Sequence, residues 1–151
     1  MGAGLASSSF HVLSGKPSHL SLPLVEGVVT AGFPSPAENY INAGIDLNEY
    51  LIQNPSSTFL LRVSGDSMNG AGIYNGDLLI VDRSLEIRPG RIVIAILDGN
   101  FILKRLVRRN ENLFLEATNS NYPNIDIYKY GDIQIWGVAI YSIHNLKNSE
   151  K

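Results

Sequence analysis

From Thr58 to Ile143 the chain is built almost wholly of short runs of Ile, Val and Leu, each ended by a turn. TFLLRV, DLLIVD, RIVIAIL, NFILKRLV, LFLEAT, IDIY and IQIWGVAIYSI are strand-like in length and in β-branched content. Asn75-Gly76, Pro89-Gly90, Asn110 to Asn112 and Tyr130-Gly131-Asp132 separate them. Asp98-Gly99, between two strong runs, is the sharpest hairpin signal, because a two-residue turn needs residues that tolerate positive φ. Seven short strands with close turns predict a compact, mostly antiparallel barrel or sandwich.

The sequence changes character near residue 45. Residues 1–44 are rich in Gly, Ser and Pro, carry one lysine, Lys16, and have no helical period, so they read as an extended, loosely attached arm. They lack the helices and basic residues of a helix-turn-helix domain. One short helix is expected next. Asp46 caps it, Glu49 completes a capping-box-like pair, Leu47, Tyr50 and Leu51 form one apolar stripe, and Asn54-Pro55 stops it.

With 151 residues the chain is one domain, or one domain with an arm. Net charge is −2, too balanced for a generic nucleic-acid or membrane binder. Seven of the twelve basic residues fall between Arg83 and Arg109, with too little aromatic interleaving for base stacking. The absence of cysteine excludes disulfides, thiolate catalysis and Cys-based zinc sites. The longest aliphatic run, Ile92 to Leu97, is too short to span a bilayer. MGAGLASSSF has neither the basic start nor the apolar stretch of a signal peptide, and Ala6 stands where myristoylation wants Ser or Thr. These features lead us to expect a soluble, cytoplasmic chain without cofactor or metal.

Ser67, in the segment SGDSM (64–68), sits between an apolar run and a glycine-rich loop, where a nucleophile would be exposed. The three histidines, His11, His19 and His144, are far away in sequence and none lies in a motif. Lys104 is an alternative base. Alternation along its strand puts it on one face with Ile102 and Leu106. An apolar surround disfavours the ammonium form, and a neutral amine is a competent general base near pH 7. Taken alone, each residue also has an ordinary reading: a strand lysine that reaches water along its stem, and a turn serine.

Ser67 in SGDSM and Lys104 in NFILKRL together resemble the self-cleaving Ser-Lys peptidases of the LexA and UmuD type. VVTAGFPSP (28–36) resembles the cleavage segment of that family, a small residue before glycine with prolines after it. GIDLNEYLIQNPSSTFLLRVSGDSM and GDLLIVDRS also look like UmuD-type sequence, and the resemblance runs from about Val25 to about Ile143. One departure is visible: UmuD relatives often have Cys before the scissile glycine, where this chain has Ala31.

The resemblance implies a compact, mostly β peptidase domain of short antiparallel strands over 46–151, with one short helix. It implies a cleavable arm over 1–31 and a linker over 32–45. Ser67 is then the nucleophile, Lys104 the base, and the backbone N–H groups of Asp66 and Ser67 the oxyanion donors, with cleavage between Ala31 and Gly32. Gly32 is expected to let the segment bend, Pro34 and Pro36 to keep the following chain extended, Phe33 to anchor it, and Met68 to pack beneath the site. The implied trigger is a RecA filament on single-stranded DNA, and the implied partner of the product is a UmuC-like translesion DNA polymerase in SOS mutagenesis. The family resemblance also implies a homodimer, for which IQIWGVAIYSI is either an interface or a core strand. Neither direct sequence-specific DNA binding nor membrane association is expected. Two other roles fit the same residues: a LexA-like repressor or antirepressor fragment acting in transcription, and a non-enzymatic interaction module with a decayed site. A signal-peptidase-like enzyme fits less well, for want of an apolar anchor.

Overall fold

The computed structural model describes residues 19–27, 29–34 and 40–148. Residues 1–18, which hold His11 and Lys16, and residues 35–39, which hold Pro36, lie outside them, as does Val28. The chain divides into two compact units, residues 1–50 and 51–151.

In the first unit β1 (Ser21–Glu26) pairs antiparallel with β2 (Tyr40–Asp46). This hairpin is an addition to the sequence reading, which saw only an extended segment here. SLPLVE and YINAGID carry interruptions by Pro23 and Gly44 that mask a strand pattern, and the register shifts between Leu22 and Leu24, around the proline. Helix α1 (Leu47–Leu51) follows β2 directly. As expected, Asp46 caps it, its Oδ1 accepting the Asn48 amide at 2.9 Å. Its carboxylate meets His19 at 3.1 Å, and His19 also lies 3.7 Å from Glu49.

The second unit is one seven-stranded antiparallel sheet rather than a closed barrel. Its strands are β3 (Thr58–Arg62), β4 (Leu78–Asp82), β5 (Ile92–Leu97), β6 (Asn100–Arg109), β7 (Asn112–Glu116), β8 (Ile125–Asp126) and β9 (Ile133–Ile143). The order across the sheet is β3-β4-β9-β5-β6-β7-β8. The last strand therefore inserts into the middle, hydrogen-bonded to β4 on one side and β5 on the other. IQIWGVAIYSI is thus a central strand, paired with β5 over Ile133–Val138 and with β4 over Val138–Ile143.

The Asp98-Gly99 turn joins β5 to β6 as expected, with φ of 50° and 78°, both in the left-handed region that a type I′ turn demands. Asn110 and Glu111, φ 50° and 69°, form the equivalent turn between β6 and β7. IDIY departs from the strand expectation. Only Ile125 and Asp126 pair with β7, and the Asp126 side chain then accepts the amides of Tyr128 and Lys129, starting a second short helix, α2 (Ile127–Tyr130).

Apolar side chains cover both faces of the sheet. Met68, Ile73, Leu79, Val81 and Ile94 form one cluster, against which Leu103 packs. Val93, Ala95, Leu106, Leu115 and Val138 form the other, joined by Ile102. Successive residues of β5 and β6 thus alternate between the clusters, as the two-residue period of a strand requires. Lys104 lies on this doubly buried part of β6, opposite fully buried Val93. Among the described residues no helix is long and apolar enough to cross a membrane.

Candidate active site

Ser67 lies on the connection between β3 and β4, and that connection is held at both ends. Val63 N donates to the Asp77 carbonyl at 2.9 Å, and Gly76 N donates to the Val63 carbonyl at 2.8 Å. Between them the chain turns at Gly65, whose φ of 98° suits glycine and whose amide donates to Asn75 Oδ1 at 2.9 Å. Met68 then plunges into the core at 1% exposure, as expected, and acts as a plug beneath the serine. The Ser67 carbonyl is fixed by three donors from one loop: Thr118 N at 2.9 Å, Asn119 N at 3.1 Å and Thr118 Oγ1 at 3.3 Å. Among the described residues no protein acceptor takes the amides of Asp66 or Ser67.

Lys104 reaches this turn from β6. Its Nζ and Ser67 Oγ share a hydrogen bond of 3.1 Å across 37 positions of sequence. As an ammonium Nζ donates in that bond; as a neutral amine it accepts the hydroxyl proton. Its strand neighbours on the same face are half-buried Ile102 and fully buried Leu106. Removal from water pushes the lysine below its ordinary range, because burial penalises the charged form. Ser67 and Lys104 open on a cleft of about 270 Å³, whose floor is Val63, Met68, Leu79 and Ile94 and whose sides include Arg62 and Leu103.

The two described histidines, His19 and His144, each meet a carboxylate. His19 belongs to the first unit and bonds Asp46. His144 Nδ1 lies 2.6 Å from Asp77, a buried carboxylate that also accepts Ser142 Oγ at 3.0 Å and the Tyr74 amide at 2.9 Å. His19, Asp46 and Glu49 are the one group with metal-ligand proximity among the described residues, and Asp46 there is already engaged as the helix cap.

Ala31 and Gly32 lie in the first unit, in an exposed bend. The Thr30 hydroxyl donates to the Phe33 carbonyl and closes a loop around the Ala31-Gly32 peptide. Gly32 is not among the glycines with positive φ, so in this conformation the bend is made without its special freedom. Phe33 is almost fully exposed.

Three contributors escaped the sequence reading. Asn75 and Tyr122 hold the serine turn from residues that read only as loop, and Thr118 does so from the last position of the strand-like run LFLEAT. Asn75 appeared solely as half of an Asn-Gly turn, and SNYPN (120–124) gave no periodic signal at all.

The Peptidase S24-like family model matches residues 23–140. The chain is similar to protein ImpA of Escherichia coli, 44% identical over 83% of this chain and 85% of that protein. It is similar to protein MucA of Escherichia coli at 40% identity, over 82% of this chain and 84% of that protein. The LexA repressor of Aliivibrio salmonicida is 36% identical over 83% of this chain and 60% of the repressor. The chain therefore belongs to the Peptidase S24-like family. Within it, the ImpA and MucA matches make this a UmuD-type member.

Proposed function

We propose that this chain cleaves itself between Ala31 and Gly32 by a Ser-Lys mechanism, and that the 32–151 product serves as accessory subunit of a UmuC-like translesion DNA polymerase. The observation that carries the peptidase part is the 3.1 Å approach of Lys104 Nζ to Ser67 Oγ on a half-buried lysine. The polymerase part is supported by the UmuD-type relatives.

In this reading neutral Lys104 takes the Ser67 hydroxyl proton as Oγ attacks the Ala31 carbonyl carbon. The oxyanion is received by the amides of Asp66 and Ser67, which have no other acceptor among the described residues. The Lys104 ammonium gives its proton to the Gly32 nitrogen, the peptide bond breaks, and an ester joins Ala31 to Ser67. Lys104 then takes a proton from water, which attacks the ester and releases the Ala31 carboxylate and the Ser67 hydroxyl. A RecA filament on single-stranded DNA acts as trigger by favouring the conformation in which the arm occupies the site. The protein works as a homodimer in the cytoplasm.

Incubation at alkaline pH followed by mass spectrometry tests the peptidase claim. Fragments 1–31 and 32–151 are expected, with Ser67→Ala and Lys104→Ala inert. A wild-type chain that stays intact even with activated RecA filament sinks it. The 36% match to a LexA repressor favours one other role, a transcriptional regulator sharing the same domain. Pull-down with a UmuC-like polymerase, set against operator binding, separates the two.

A further inference from the structure

Tyr122 bonds the residue beside Ser67 and stands over Lys104. Its phenol O–H donates to Asp66 Oδ1 at 2.7 Å, on the residue just before Ser67. Its ring centroid lies 5.2 Å from Lys104 Nζ. The side chain is 41% exposed, so it is not held there by core packing. What holds it is its loop. Tyr122 N donates to the Asn119 carbonyl at 3.1 Å and Asn121 N to Asn119 Oδ1 at 3.0 Å, while Thr118 and Asn119 grip the Ser67 carbonyl. One loop therefore grasps Ser67, Asp66 and Lys104 together.

The charges near Lys104 give this arrangement a consequence. Arg62 lines the same cleft, but its Nη1 donates to the Gly76 carbonyl at 3.0 Å. Asp66 is the carboxylate next to the serine, and an ion pair between it and Lys104 would hold the lysine protonated and useless as a base. Among the described residues no such pair forms; Asp66 gives its Oδ1 to Tyr122 instead. The ring itself stands in cation–π range of the amine, a contact that favours the ammonium, so only the hydroxyl can work toward a neutral lysine. The bond to Asp66 pushes the phenol above the ordinary tyrosine range, so the donor persists into alkaline solution.

We propose that Tyr122 is a positioning residue of the Ser67–Lys104 dyad: its hydroxyl tethers the Asp66 carboxylate away from the lysine, keeping Lys104 available as a base. The inference rests on the reading of Ser67 and Lys104 as the dyad.

Two measurements on the full chain separate the inference from that reading. In a Ser67→Ala background, where no cleavage occurs, the Lys104 side chain is titrated by NMR with and without Tyr122→Phe or Tyr122→Ala. Tyr122→Phe, which removes only the tether, is expected to move its midpoint upward by roughly one pH unit, and Tyr122→Ala, which also removes a ring that favours the ammonium, by less. With Ser67 present, self-cleavage below the midpoint is expected to slow roughly tenfold and to recover at higher pH. A midpoint unmoved or lowered in Tyr122→Phe overturns the proposal, as does a rate loss that high pH does not restore. Tyr122→Phe keeps the ring and decides the matter should Tyr122→Ala fail to fold. A wild-type chain that never cleaves refutes the dyad reading instead, while the titration still reports on Tyr122.

Discussion

Lys104 and Ser67 meet with Nζ 3.1 Å from Oγ, one from the middle of β6 and the other from the β3–β4 turn. Their roles depend on charge. The half-buried Lys104 has its pKa lowered by desolvation, so the amine loses its proton at a lower pH than an exposed lysine. Self-cleavage should accordingly rise with pH and level off above that lowered value. Lys104→Arg keeps a positive charge at all accessible pH and cannot act as a base. It is expected to slow cleavage on the order of 10³–10⁴-fold and to abolish the alkaline rise. A pH–rate profile by mass spectrometry checks this; an arginine variant that still accelerates with pH would rule out Lys104 as the base.

Gly70 and Thr118 offer a test of the serine turn that leaves both dyad residues in place. A Cβ on Gly70 would come 2.9 Å from Thr118 Cβ and 3.1 Å from its Oγ1, so the loop must give way. That loop supplies the three bonds to the Ser67 carbonyl. Gly70→Ala is therefore expected to slow cleavage about tenfold while the chain stays folded. Wild-type rates in Gly70→Ala would show that the carbonyl anchor is not needed.

Strand alternation is local arithmetic, and it placed Lys104 with Ile102 and Leu106; the hairpin at Asp98-Gly99 was equally local. Pairing Lys104 with Ser67 across 37 positions was legible only through the family resemblance. The position of β9 was not legible, since antiparallel pairing of distant strands leaves no mark on spacing. Nor was the start of α2 at Asp126, because Ile-Asp-Ile-Tyr alternates like a strand until the Asp126 side chain captures two amides. Tyr122 stayed hidden for a further reason. Its role comes from the loop fold that brings it to Asp66, 56 positions away. The β1–β2 pairing was obscured by Pro23 and Gly44, which read as loop residues.

Asp82 should control acid stability. It is 2% exposed and accepts from Asn54 Nδ2 at 2.8 Å, Ser57 Oγ at 3.1 Å, Ser84 N at 2.8 Å and Ser84 Oγ at 2.7 Å. Burial raises its pKa, but these bonds outweigh burial and hold it at about 2. The folded value is depressed, so its contribution is complete above the unfolded value of 3.8 and is lost as pH falls toward about 2. Asp82→Ala leaves several donors unpaired and is expected to cost about 3 kcal/mol at neutral pH. Urea unfolding at pH 7 and pH 2.5 checks both parts, with the wild-type and variant curves closer together in acid.

Gly137 tests the central position of β9. It pairs with Ile94 of β5, and a Cβ there would lie 2.7 Å from Val81 Cγ1 and 3.2 Å from Arg83 Cγ. Val81 is fully buried in the sheet beside it, and the Arg83 guanidinium lies 4.5 Å from the centroid of the Trp136 ring. Val81 has no free space to yield, whereas the exposed Arg83 side chain can shift. Gly137→Ala would ordinarily stabilise a strand by reducing backbone freedom in the unfolded chain, by about 0.5–1 kcal/mol. Overpacking against Val81 works the other way by about 1–3 kcal/mol, so a net loss is expected. Val81→Ala should relieve the clash, making the double variant less destabilised than the sum of the two single changes. Denaturant unfolding of all four chains measures that coupling, and simple additivity would mean that Gly137 and Val81 do not pack against one another.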